Sequence, residues 1–335
     1  MTLLRRTFLK HSVAALTVLP FLSTTKSYGA MKASSKFVNV DGIRTRYFEG
    51  GSGEPMLLVH GGNFGSNISA LAWTPIFDHL ARHFHVYALD KLGQGYTDNP
   101  KSDDDYTMKA TIAHVYRFLE TLGIQKVHLV GNSRGAMPVA NIAVDHPERV
   151  QSLVMFNSRT LAPEDPALAS RTTPAGPSAP ETPTRESIRQ SASRSAYRKD
   201  YITDEYVEDR LKITLLPKIK ESEERLKLLT SRWVDRNPQK IKENPGLRVR
   251  WWYYDIKQET LDRISAGHLK APTLIIWGTN DSSAPYSLGI NLYKAVGSAL
   301  SRARLHFVNQ CGHRAFAEYP EEMTRLMVGF INKEL

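Results

Sequence analysis

The sequence predicts an α/β fold: a mostly parallel sheet flanked by helices, with a helical cap inserted late in the chain. Three observations carry that prediction. Runs that are apolar throughout alternate with segments of helical spacing over residues 56–156 and again from residue 272. That is the pattern of parallel strands buried on both faces and joined by helices. One such run, Val127-His128-Leu129-Val130, passes through Gly131-Asn132-Ser133-Arg134-Gly135 directly into the helical pattern of 137–143. Between residues 157 and 272 the alternation stops, and a charged, helix-patterned stretch takes its place.

In chain order, residues 1–30 read as a targeting segment. Arg5-Arg6-Thr7-Phe8-Leu9-Lys10 resembles the twin-arginine export motif and is followed by a moderately apolar stretch, 12–23, that is interrupted by Pro20 and too short to span a bilayer. Small residues before Ala30 place cleavage near Gly29, and no cysteine lies nearby for a lipid anchor. The expected location is therefore outside the cytoplasm, periplasmic or secreted. From Lys36, Phe37-Val38-Asn39-Val40 and the run 43–48 flank Asp41-Gly42, a hairpin turn. Met56-Leu57-Leu58-Val59 is a buried strand ending in His60-Gly61-Gly62-Asn63. A helix is expected over 70–82, a strand over 85–89, a turn over 90–96 and a helix over 107–122 that stops at Gly123. The elbow strand and its helix come next, and then the strand Val150 to Phe156.

The region 162–184 carries Pro163, Pro166, Pro174, Pro177, Pro180 and Pro183 among alanine, serine and threonine, a composition that needs no secondary structure. Beyond it, 185–267 reads as a helical cap, with Val207 and Leu211 on one face that Leu215 and Leu216 continue to Pro217. The sheet resumes at Thr273 to Gly278, followed by a helix over 286–296, a strand over 303–308 and an amphipathic helix over 321–333. The domain reading is thus a leader, 1–30; a core made of 36–157 and 268–335; and a cap insertion, 158–267.

The chemistry centres on Gly131-Asn132-Ser133-Arg134-Gly135. A Cβ on either glycine would clash where strand and helix backbones meet, and the turn leaves the Ser133 hydroxyl at its tip. Ser133, Asp281 and His313 each follow a parallel strand, in the order serine, acid, histidine. Serine is a poor nucleophile unaided, so His313 would take its proton while Asp281 holds the imidazole tautomer. Asp90 follows a different strand, and His306 lies within one, where a packed side chain is expected. Two glycines after a buried strand free backbone amides, so Gly62 or Asn63, with the amide of Arg134, is the expected oxyanion hole.

These residues resemble the α/β-hydrolase superfamily over 36–335, apart from the proline-rich loop. The likeness within it is to the meta-cleavage-product hydrolases, which cut a carbon–carbon bond in ring-opened aromatic dienoates. It is carried by His60-Gly61-Gly62, Gly131-Asn132-Ser133, the run Ala303-Arg304-Leu305-His306 through Cys311-Gly312-His313, and Ile202-Thr203-Asp204-Glu205 up to Arg210. The resemblance implies that Arg210 contacts a substrate carboxylate. The chain departs from that pattern at Asn63, at Arg134 after the serine and at Arg314 after the histidine. The expected activity is cofactor-free and metal-free hydrolysis of a small ester or lactone, with carbon–carbon cleavage and a ligand-binding role on the same fold as alternatives. Arg210, Arg134 and Arg314 suggest an acidic substrate, and His60 is a further candidate contact.

Bulk properties exclude other classes. With 41% hydrophobic and 23% charged residues over 335 positions, the chain is globular. Its net charge is +10, and four of the basic residues lie in the acid-free leader, so removing them leaves +6. The remaining basic residues are scattered among acids rather than clustered on one face, against a nucleic-acid partner. One cysteine, Cys311, allows neither an intrachain disulfide nor a cysteine metal site. His79, His83 and His85 span a helix end and a strand start, which splays them away from a shared ligand set.

Overall fold

The structure is a computed structural model that describes residues 31–165, 168 and 182–334. The leader and most of the proline-rich stretch lie outside those residues, and so do the readings that fall on them.

Among the described residues eight strands form one sheet: β1 (Ser35–Val40), β2 (Ile43–Gly50), β3 (Pro55–Val59), β4 (His85–Leu89), β5 (Val127–Asn132), β6 (Val150–Phe156), β7 (Thr273–Gly278) and β8 (Ala303–Val308). Their order is β1-β2-β4-β3-β5-β6-β7-β8. The β1–β2 and β2–β4 pairs are antiparallel and the remaining pairs parallel. After β4 the chain crosses back over β3 to lay down β5, so the strand order reverses beside β3. In open α/β sheets ligand crevices form at the carboxyl ends of strands at such a reversal. The loops after β3 and β5, carrying Gly62 and Ser133, flank it.

The apolar runs become interior strands because both faces are covered. Leu57, Val59, Leu129, Leu153, Met155 and Ile275 face one buried cluster, which α2 (Met108–Thr121) and α3 (Ala136–Asp145) supply with Val115, Phe118, Met137 and Val139. Met56, Leu58, Val130, Val154, Phe156 and Ile276 face the other, with Ile76 and Phe77 of α1 (Thr74–Leu80). Successive strand residues therefore point to opposite cores. Each fully buried Leu, Val, Ile or Phe contributes about 1.5–3 kcal/mol, which offsets the entropy of ordering the layers.

Between β6 and β7 lie α4 (Arg185–Ser193), α5 (Asp204–Thr214), α6 (Pro217–Arg236), α7 (Pro238–Glu243) and α8 (Leu247–Ser265). After β7 come α9 (Tyr286–Gly297), α10 (Ala315–Glu318) and α11 (Pro320–Ile331). Three local expectations are corrected. The helix expected over 70–82 is a 3₁₀ turn, Ala70–Trp73, followed by α1, which starts with Pro75 in its first turn, where a missing N–H costs nothing. Leu215 does not extend the buried face of α5: it caps that helix and is exposed, while Val207 and Ile213 are buried. His306 is not packed, because β8 is an edge strand; its ring is partly exposed, 4.0 Å from Glu322.

Candidate active site

Ser133 sits at φ 54°, in the left-handed region that L-residues rarely adopt. The surroundings hold it there. A Cβ at Gly131 would lie 2.5 Å from the Gly135 carbonyl oxygen, and one at Gly135 would lie 2.1 Å from that of Val59. Both glycines are therefore required by close backbone approach, as the sequence predicts. The Ser158 hydroxyl donates to the Ser133 carbonyl at 2.7 Å and secures the far side of the turn.

Asp281 and His313 meet as a pair, with His313 Nδ1 2.6 Å from Asp281 Oδ2. Asp281 is buried, and burial pushes its carboxyl up. The His313 charge and hydrogen bond and the Ser283 donors outweigh that and hold it below the ordinary aspartate value. Its Oδ1 accepts from the Ser283 amide at 2.9 Å, the Ser283 hydroxyl at 2.7 Å and the Ala284 amide at 3.1 Å. With Nδ1 turned to Asp281, Nε2 is the nitrogen left for chemistry. Ser133 and His313 line one cavity of about 900 Å³, without a direct hydrogen bond between them among the described residues. Small-molecule sites are of this size.

The loop after β3 approaches the serine closely: a Cβ on Gly61 would be 3.0 Å from that of Ser133. Gly62 follows at φ 80°, where an added Cβ would strike Ser66 Oγ at 2.4 Å. The Asn63 amide donates to Ser66 Oγ at 3.2 Å, so it is already engaged. Of the two expected donors on this loop, Gly62 is the one the geometry leaves available, and the Arg134 amide opens the turn after Ser133.

The expected substrate contacts fare differently. Arg134 lines the cavity with Ser133. His60 does not: it is fully buried, its Nδ1 donates to the Gly61 carbonyl at 2.7 Å, and its Nε2 accepts from the Lys91 amide at 3.1 Å. Burial, then the Lys91 charge, keep it well below the ordinary histidine value, so it is a neutral brace for the loop. Arg210 lies in a separate cavity of about 140 Å³ with Asn67 and Tyr206. It donates to Asn67 Oδ1 from Nε at 3.0 Å and also from Nη2, and to the Tyr206 hydroxyl at 3.0 Å. Arg314 is buried, its Nη1 3.4 Å from the Tyr201 hydroxyl, and lines neither cavity.

Sequence reasoning missed three supports. Asn157, at φ 41° after β6, donates to Asp281 Oδ2 at 2.9 Å and accepts from the Gly278 amide at 3.3 Å. Its place at a strand's carboxyl end, and the tolerance of asparagine for this conformation, were the available signals. Glu318 accepts from the amides of Gly312 at 3.0 Å, Tyr197 at 3.2 Å and Arg198 at 2.9 Å, tying the histidine loop to the inserted region. Lys91 is buried, and its Nζ donates to the Gly62 carbonyl at 3.1 Å.

Known proteins resemble the chain in both sequence and shape. A sequence model described as the alpha/beta hydrolase fold matches residues 54–320. The chain is 28% identical over 305 residues to a 2-hydroxy-6-oxo-6-(2'-aminophenyl)hexa-2,4-dienoic acid hydrolase of Metapseudomonas resinovorans, covering 89% of this chain and 91% of that one. It is 28% identical over 301 residues to a 2-hydroxymuconate semialdehyde hydrolase of Pseudomonas sp. strain CF600, covering 87% and 91%. Among solved structures, a serine hydrolase involved in carbazole degradation superposes with a TM-score of 0.67 at 26% identity, over 90% of this chain and 99% of that one. A meta-cleavage product hydrolase from Pseudomonas fluorescens IP01 superposes with a TM-score of 0.64 at 25% identity, over 90% and 98%.

Proposed function

The chain belongs to the α/β-hydrolase fold family, and from that premise we propose that it is a serine hydrolase of small carbonyl compounds, with Ser133 as nucleophile, His313 as general base and acid, and Asp281 orienting the imidazole. The observation that carries this reading is that His313, paired with the buried Asp281, lines the same cavity as a serine held at a left-handed elbow.

Each step follows from a named atom. His313 Nε2 takes the Ser133 proton as Oγ attacks the carbonyl carbon. The oxygen that gains charge settles on the amides of Gly62 and Arg134. Collapse of the tetrahedral species breaks the bond to the leaving group, which takes the proton from His313. Water then repeats the sequence on the acyl-serine, and the acid product departs.

The names of the relatives support a carbon–carbon bond as the one cleaved; its carbon would have to leave as an enolate, with a carbonyl taking up the electron pair. A second reading, an ester or lactone, is favoured by one observation: Arg210, the arginine matched to carboxylate binding, lies in the other cavity. Turnover of a chromogenic ring-opened dienoate, p-nitrophenyl esters and lactones by purified protein, with Ser133→Ala as control, decides between them. Faster dienoate cleavage selects the first reading and faster ester or lactone cleavage the second. Activity surviving in Ser133→Ala overturns both, and no turnover on any compound returns the ligand-binding alternative. Export by the twin-arginine route accompanies the proposal. N-terminal sequencing of protein from the periplasmic fraction is expected to begin near residue 30; intact Met1 on cytoplasmic protein alone would count against it.

A further inference from the structure

We propose that the Arg134 side chain selects the substrate, binding a carboxylate a few atoms from the carbonyl that Ser133 attacks. The proposal rests on the reading of Ser133 as nucleophile.

Three observations converge on it. First, Arg134 has no acidic partner among the described residues. Its Nε is shut off from water without a hydrogen bond, and its guanidinium lies over the face of Trp252, 6.0 Å from the ring centre. The residue is half-buried and lines the cavity. A guanidinium partly withdrawn from water and left without a carboxylate is costly, so proteins seldom keep one without a use for it. Second, the described acids around the same cavity are committed elsewhere. Glu164 is held by Arg250 at 2.7 Å and Lys257 at 2.8 Å. Asp165 accepts from the Ser287 hydroxyl at 2.9 Å, and Glu243 from Gln239 at 2.9 Å. None of these carboxylates forms an ion pair with Arg134. Third, the residue follows the nucleophile directly, so the elbow that fixes Ser133 also fixes the origin of this side chain. A guanidinium offers a planar fork that takes a carboxylate through two parallel hydrogen bonds. Arg210 cannot serve instead, because Asn67 and Tyr206 occupy it in the other cavity.

The test compares p-nitrophenyl glutarate with its methyl ester, which differ only in the free carboxylate. Wild-type kcat/KM is expected to favour the acid by about tenfold or more, the scale of one charge-assisted hydrogen bond. Arg134→Gln should collapse that ratio through KM, and Arg134→Lys should restore part of it. A ratio near one in the wild type, or an unchanged ratio in Arg134→Gln, overturns the proposal. Should Arg134→Gln not fold, inhibition of wild-type methyl-ester turnover decides: glutarate must inhibit at least about tenfold more strongly than glutaramide, and equal inhibition refutes the role. Calorimetric binding of glutarate to Ser133→Ala, with and without Arg134→Gln, separates the two readings. Turnover persisting in Ser133→Ala sinks the nucleophile assignment, whereas equal glutarate binding with and without Arg134 sinks this one.

Discussion

Replacing Lys91 by methionine should alter how stability depends on pH, by an amount that can be worked out beforehand. The side chain is 1% exposed, and burial, followed by the Arg134 charge, pulls its ammonium down to about 7. In the unfolded chain it titrates near ~10.4. Between those values the unfolded chain holds a proton that the folded protein has released, so stability rises with pH across the window. Integrating the difference from about pH 7 to about pH 9.5 gives the wild type a gain of about 3 kcal/mol. Methionine fills similar space and carries no proton, so the variant lacks this increment, and the other titrating groups cancel when the two proteins are compared. The assay is urea unfolding of both proteins at several pH values across the window. Near neutrality the variant should lead by about 3 kcal/mol, because it is spared a desolvation cost of about 4 kcal/mol and loses only the bond to Gly62 O, worth about 1 kcal/mol. By the top of the window the wild type should have regained about 3 kcal/mol, bringing the two level. Curves that stay parallel would refute the reasoning and leave Lys91 charged in the core.

Two further outcomes are expected. Gly135→Ala should cost about 3 kcal/mol or more, read as a fall in the urea midpoint, since its Cβ would lie 2.1 Å from strand backbone that cannot retreat; a loss below about 1 kcal/mol would show that the elbow can relax. Asn157→Ala should lower kcat about tenfold while sparing KM, because Asp281 loses a donor and the β7 end loses an acceptor. Asn157→Gly relieves the backbone strain at φ 41° and so should recover stability without recovering kcat; recovery of both would mean that the side chain is dispensable.

The fold was legible wherever a single physical demand governed a stretch of chain. Met56-Leu57-Leu58-Val59 reads as a strand because both of its faces need apolar cover, and the sheet provides a core on each side. Gly131 and Gly135 read as an elbow because only glycine fits the backbone approach. The candidate site was legible as far as position: Ser133, Asp281 and His313 each follow a recognisable strand. What escaped was pairing across long separations. Nothing local to Asn157 points to Asp281, 124 positions away, and nothing near Glu318 announces amides in the loop between α4 and α5. The direction of a charged side chain on a helix was equally hidden. Arg210 and Arg314 were expected at the substrate, and neighbouring tyrosines and Asn67 turn them elsewhere.

The seam between the inserted region and the histidine loop bears on redesign. The Ser195 carbonyl accepts the His313 amide at 2.7 Å, Gly312 is pressed so tightly there that a Cβ would lie 2.2 Å from that same oxygen, and Glu318 gathers the amides of Tyr197 and Arg198. Residues 195–198 are thus an interlock, and the insertion helices that line the cavity, with Val249, Arg250 and Tyr253, come after it. A chimera that exchanged the whole insertion would inherit a new substrate chamber but lose the brace on its histidine. One that kept 195–198 and exchanged only the helices beyond them would change the chamber and leave the histidine in register.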